Sequence, residues 1–147
     1  MDTVKPRLNT RLESEGAEFL VLGNLLMEGI LAYKAYHNFK SYDLVAINQK
    51  TNKAITIQVK SRYKTDWGGF IINDFDCDFV VFVALNRGYK KIKKNGDDGK
   101  KAPEYYIFPV AYVKAIERSG WGKISKSKLL DYSDYLYRWD LISKSLQ

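Results

Sequence analysis

Residues 54–63 read AITIQVKSRY, and residues 42–48, just before them, read YDLVAIN. Side chains alternate across an extended chain. Ile55, Ile57 and Val59 therefore face one way, into an apolar core, while Thr56, Gln58 and Lys60 face the other way together. The polar stretch QKTNK (residues 49–53) joins the two segments as a turn, so they are predicted to pair as a hairpin. In a regular hairpin the start of the first strand lies beside the end of the second. Asp43 is thereby expected next to Gln58 and Lys60.

A carboxylate, an amide oxygen and an ammonium at one spot suit a particular chemistry. Hard divalent cations take oxygen ligands from carboxylates, amides and backbone carbonyls. A bound cation of this kind lowers the pKa of water and offsets charge developing on phosphorus. A lysine beside it can orient the nucleophile or steady the transition state.

Upstream, RLESEGAEFLVLGNLLMEG (residues 11–29) has helical periodicity to about Met27, with Asn9 or Thr10 as cap and Gly29 as stop. Phe19, Leu22, Leu25 and Leu26 are expected on its buried face. At 100° per residue, Glu15 and Glu18 fall within about 40° of Leu22. A carboxylate there is costly without a partner. The plainer reading of Glu15 is a solvated helix position. Ile30–Tyr36 reads as a strand, followed by the connection HNFKS. His37 reads as an exposed loop or strand-end side chain.

Downstream, residues 64–76 show a turn at Gly68-Gly69 and a short strand near Phe70–Ile72. CDFVVFVAL (77–85) is almost wholly apolar and predicts a strand covered on both faces. YYIFPV (105–110) predicts another, ending at Pro109. AYVKAIERS is expected as a short helix, GWGKISKS as linker, and LLDYSDYLYRWDLISKSL as a C-terminal helix docked through Tyr135, Leu136, Trp139 and Leu141 or Ile142. Trp67, Trp121 and Trp139 read as packing residues. Between the last two strands, residues 87–103 carry little to bury and are expected as a mobile loop. From Arg87 to Lys101 it holds seven basic residues against two acidic ones, a local charge of +5.

The patterns G-x-E-φ in the helix, D-φ-φ-A in the first hairpin strand and φ-x-φ-Q-V-K-S in the second resemble the PD-(D/E)xK nuclease superfamily, which includes restriction enzymes, Holliday-junction resolvases and some homing endonucleases. The match covers residues 15–62. In resolvase-like members a helix glutamate stands eleven positions before a glycine at the helix end, as Glu18 stands before Gly29. The resemblance implies a single α/β domain over residues 1–147, with a restriction-endonuclease-like core whose mixed central sheet is flanked by helices. It implies a metal-dependent endonuclease acting on nucleic acid, with DNA preferred. Asp43 would ligate Mg²⁺, for which Mn²⁺ may substitute, together with Gln58, the Val59 carbonyl and Glu18. Lys60 would complete the catalytic set. Two departures stand out. Gln58 occupies the usual acidic position, which removes one negative charge from the site. The stretch 64–76 also reads poorly as the helix that many members place there. The alternative is an inactive nucleic-acid-binding or assembly module on the same fold.

The bulk composition agrees with that reading. The chain has 147 residues, a net charge of +7 and a pI near 9.3, a balance that favours polyanions. Arg62, Lys90, Lys91, Lys93 and Lys94 are the expected nucleic-acid contacts. One cysteine excludes an intramolecular disulfide and a thiolate zinc cluster, and a single histidine argues against histidine-based zinc or triad chemistry. The opening MDTVKPRLNT lacks the apolar core of a secretory leader, and no apolar run reaches the length of a membrane span. A cytoplasmic location, no membrane partner and a symmetric homodimer are expected.

Overall fold

The computed structural model describes residues 9–35 and 41–147. His37 and Tyr36 lie outside the described residues. Helix α1 (Thr10–Met27) starts where the Asn9 side chain accepts a hydrogen bond from the Arg11 N–H. It stops at Gly29, whose φ of +77° is the left-handed turn that ends a helix. Strands β1 (Leu31–Lys34), β2 (Leu44–Asn48) and β3 (Lys53–Arg62) follow as an antiparallel meander. Short β4 (Gly69–Ile71) leads to β5 (Phe79–Ala84), and then come β6 (Glu104–Pro109) and helix α2 (Val110–Lys114). Strand β7 (Lys123–Ser125) and helix α3 (Asp140–Ser145) complete the chain. The main sheet has the order β1-β2-β3-β5-β6, with β3 and β5 parallel and the other pairs antiparallel. It is the mixed sheet that was expected.

Two cores sit on its two faces. On one, α1 and α3 cover Leu44, Ile55, Ile57, Val81, Val83 and Ile107. On the other, Val80, Phe82, Tyr106 and Phe108 pack with Trp67, Phe70, Ile124 and Val113. All six residues of β5 are buried, as its unbroken apolar run predicts. The second face is closed by the two-stranded β4–β7 sheet and α2 rather than by a long helix. Residues 64–76 accordingly contain β4 and no helix.

Several expectations are corrected. The buried stripe of α1 is Glu13, Ala17, Val21 and Leu25, and Phe19 and Leu26 face outward. Ala17 lets the helix lie close to the sheet, where larger side chains would hold it off. GWGKISKS is not linker, because it contributes β7 to the pairing with β4. The C-terminal segment is not one helix. Asp131 and Tyr137 have φ of +58° and +54°, which divides it into a 3-10 turn at Tyr132–Tyr135 and the short α3. Trp121 is exposed, whereas Trp67 and Trp139 are buried. The basic stretch after β5 is stitched rather than bare. Arg87 bridges Lys100, the Tyr89 N–H donates to the Asp98 carbonyl at 2.7 Å, and the Thr65 hydroxyl donates to the Gly99 carbonyl at 2.7 Å. Among the described residues no helix is long and apolar enough to cross a membrane.

The aromatic layer carries the second face. Phe82 is fully buried, with ring centroids 4.4 Å from Trp67 and 4.9 Å from Phe70. Phe82→Ala should cost about 3–5 kcal/mol in urea unfolding. A loss under about 1 kcal/mol would show that this layer does not hold the face closed.

Candidate active site

The register Leu44↔Ile57 sets Asp43 opposite Gln58, as the hairpin reading requires. The Asp43 N–H still donates to the Ile57 carbonyl at 2.8 Å, the last rung of the ladder. One step further β2 has no residue to offer. The Asp43 carboxylate fills the gap and accepts the Val59 N–H through Oδ2 at 2.7 Å. The N–H and C=O of a strand residue leave by the same edge, so the Val59 carbonyl also points to this open side.

Gln58 is 7% exposed. Its Nε2 donates to the carbonyls of Ser41 (3.0 Å) and Asp74 (3.4 Å), while the Ser41 hydroxyl donates to Asp74 Oδ2 at 3.0 Å. Two carbonyls fix which end of the amide is the donor. The oxygen, Oε1, is then directed away from them, and among the described residues it is buried with no hydrogen-bond partner. An acceptor left in that state costs about 1–3 kcal/mol. Lys60 is half-buried, two residues along the same face, and its charge pulls the Asp43 carboxyl down. Among the described residues no carboxylate forms a direct ion pair with it.

Glu18 completes the group from α1. Its side chain is 18% exposed and lies 3.6 Å from the Lys34 ammonium. Burial pushes its carboxyl up to about 7, helped by the charge of Asp43 and opposed by that of Lys34. Asp43 is also raised, chiefly by burial, against the Val59 hydrogen bond and the charges of Lys60 and Lys34. Desolvation thus holds two carboxyls above their ordinary range, with Lys34 and Lys60 offsetting part of it, near a buried amide oxygen that has no donor among the described residues. Those donors are all oxygens, the set a hard divalent cation prefers. Among the described residues no three His, Cys, Asp or Glu side chains converge as a metal cluster. Any cation would therefore depend on the amide and carbonyl oxygens as well.

The hairpin thus brings Asp43, Gln58 and Val59 together, with Lys60 and Glu18 in electrostatic reach. Glu15 is half-exposed and pairs with Lys34. Lys34 itself was missed. Its side chain is only 4% exposed, and its ammonium lies 4.2 Å from the Phe19 ring centre. The pairing Lys34↔Leu44 that puts it there is cross-strand, and no local pattern announces it. Ser41 and Asp74 were also missed, although the acidic run NDFDCD (73–78) was a visible signal for Asp74. Arg62 ends β3, half-buried, two residues beyond Lys60, and Lys90, Lys91, Lys93 and Lys94 are exposed on the stitched tongue.

No protein-family model matches the sequence, and no curated protein matches it. Among solved structures the chain is similar to a bacterial homing endonuclease, I-Ssp6803I, at 21% identity over 93% of each chain, with a TM-score of 0.62. It is also similar, at 18% identity and a TM-score of 0.49, to Archaeoglobus fulgidus Hjc, a Holliday junction resolvase from an archaeal hyperthermophile, over 85% of this chain and 98% of that one. At such identities the likeness is one of fold, and the fold is the restriction-endonuclease-like one that the sequence motifs imply.

The raised Glu18 has a consequence for stability. Its ordinary value is 4.5 and its value in the folded chain about 7, so between these the folded state holds a proton that the unfolded state has lost. Stability must then fall as pH rises through that window, and the raised Asp43 acts in the same direction. Metal-free protein should show its urea midpoint dropping across this range. Glu18→Gln should flatten the decline and leave the variant more stable than the parent at about pH 8. An unaltered slope in the variant would place the titration elsewhere.

Proposed function

We propose that this restriction-endonuclease-like chain is a metal-dependent endonuclease that hydrolyses phosphodiester bonds of nucleic acid, with DNA the expected substrate. The observation that carries the reading is the buried Gln58 oxygen, without a donor among the described residues, at the edge where Asp43 has replaced a strand partner. Asp43, Gln58 Oε1 and the Val59 carbonyl would hold Mg²⁺ or Mn²⁺, with Glu18 assisting from α1. When bound, the cation supplies an acidified water and counter-charge for the phosphoryl oxygens. The chain's own groups do the rest. Lys60 orients the attacking water and steadies the extra negative charge of the transition state. Asp43 is locked in place by the Val59 N–H, so little reorganisation is needed when substrate arrives.

Gln58 has a second duty, because its amide N–H groups tie the lead-in of β2 to the segment before β5. The exposed lysines of the tongue, with Arg62, would hold phosphates without reading sequence. A symmetric dimer would present two sites to the two strands of a duplex. A second reading, a module that binds without cleaving, draws support from Lys34, whose ammonium already neutralises part of Glu18 and would compete with a cation there.

Nicking of supercoiled plasmid with Mn²⁺ separates the two. The parent should cut, and Lys60→Ala should lose roughly 100-fold or more in rate with an unchanged melting temperature. Full activity in a stably folded Lys60→Ala would remove this lysine from the mechanism, and a parent that never cuts would favour the binding module.

Gln58→Glu makes a sharper test. A carboxylate adds charge to the cation site, so Mn²⁺ affinity by calorimetry should rise. The same carboxylate faces the Ser41 and Asp74 carbonyls with no proton to give, so the metal-free variant should lose about 1–3 kcal/mol of stability. If affinity stays the same while stability falls, Gln58 is a structural clamp and not a ligand.

A further inference from the structure

We propose that Trp121 is a stacking platform for an unpaired base, so that the substrate is a nucleic acid with unpaired nucleotides close to the cleavage site. The inference rests on the nuclease reading for the site's chemistry, though not for binding. Trp121 is 92% exposed, while Trp67 and Trp139 are 6% and 5% exposed. Its backbone has φ +70° and ψ +4°, the left-handed region that a bulky residue rarely enters. Strain of this kind persists only where the surroundings enforce it.

They do so here. The Gly122 N–H donates to the Ser119 carbonyl at 3.1 Å, and the Ile72 N–H donates to the Gly122 carbonyl at 3.0 Å. The Asn73 amide donates to the Trp121 carbonyl at 3.5 Å. The seat is tight, for a Cβ on Gly122 would fall 2.0 Å from Asn73 Oδ1. An indole is thus displayed to solvent on a fixed mount.

The mount is joined to the candidate site. Asn73 holds Trp121, and the next residue, Asp74, accepts from the Gln58 amide. With neighbouring Cα atoms about 3.8 Å apart, this relay keeps the Trp121 backbone within roughly 15 Å of the Gln58 amide. Residues 114–128 around it hold five basic side chains against Glu117, while the facing segment 73–78 carries Asp74, Asp76 and Asp78, and Lys126 and Lys128 are engaged by Trp67 and Glu117. A polar depression of about 380 Å³ at its foot is lined by Asn73, Lys114, Arg118 and Ser119 among others. An apolar protein partner would meet an interface centre poor in charge. A polyanion with a flat aromatic face to offer fits Lys114 and Arg118 of this depression, whose lining holds no acid, better. Away from the ends of a duplex both faces of each base are already covered, so an internal base that stacks here must be unpaired.

The test measures binding in EDTA, where no cutting occurs, using a single-stranded oligonucleotide, the blunt duplex, and the duplex with an unpaired tail. Trp121→Gly accepts the left-handed backbone without strain and should fold as the parent does. It should weaken single-stranded and tailed binding by about 5- to 150-fold and leave the blunt duplex unchanged. The salt slope should not move, because no charge is removed, whereas alanine at Lys90, Lys91, Lys93 and Lys94 should flatten it. Trp121→Phe should recover most of the affinity. Equal loss on all three probes, or no loss on any, overturns the proposal. So does a loss of self-association in sedimentation without a loss of binding, which would make a second copy of the chain the partner. Cleavage is scored separately. A chain that binds through Trp121 and cuts nothing keeps this inference and loses the nuclease reading, and one that cuts yet binds equally without Trp121 does the reverse.

Discussion

The Asp43 carboxylate stands in for a strand. Where β2 ends, β3 continues, and the Val59 N–H would be left without a backbone partner. A buried amide in that condition is costly. The side chain of the last residue before β2 supplies the acceptor at 2.7 Å. One hydrogen bond therefore does two things. It closes the ladder, and it fixes an anionic oxygen at the sheet's open edge, beside Gln58 and the Val59 carbonyl. Everything proposed for the site depends on β2 being one residue too short to pair with Val59.

The face opposite α1 determines how this edge is used. Had β3 presented its polar side chains to water, Gln58 would be an ordinary solvated amide. The β4–β7 sheet and the segment from Ile72 to Asp78 instead wrap over it, so that its N–H groups are spent on two carbonyls and its oxygen, among the described residues, has no donor. The acids nearby respond to the same burial, with Glu18 held near neutrality and Asp43 raised. Enclosure, more than any single residue, is what raises these acids and leaves the amide oxygen without a donor among the described residues.

The hairpin and the doubly covered β5 were legible in the sequence, because alternation and an unbroken apolar run have one structural meaning each. So was the meeting of Asp43 with Gln58, which follows from register alone. The face of α1 was not. Hydropathy favours Phe19 and Leu26, whereas close packing on the sheet selects Ala17 and Val21. The pairing of β4 with β7 spans some fifty residues and leaves no local trace in GWGKISKS. Nor does tyrosine at position 137 advertise a left-handed turn, so the C-terminal segment read as one helix. Lys34 became part of the site through a cross-strand neighbour, information that no single segment contains.

The parallel pairing of β3 with β5 has a consequence for how the chain comes into being. Parallel neighbours cannot be joined by a tight turn, and here the chain travels from Arg62 to Phe79 before the two strands meet. During synthesis the meander of β1, β2 and β3 emerges first, already carrying Glu18, Asp43, Gln58 and Lys60. Until β5 follows, one side of β3 is an unpaired edge rich in isoleucine and valine, the kind of edge that recruits other strands. The nascent meander thus offers an edge for intermolecular pairing until Phe79–Ala84 arrives to cover it.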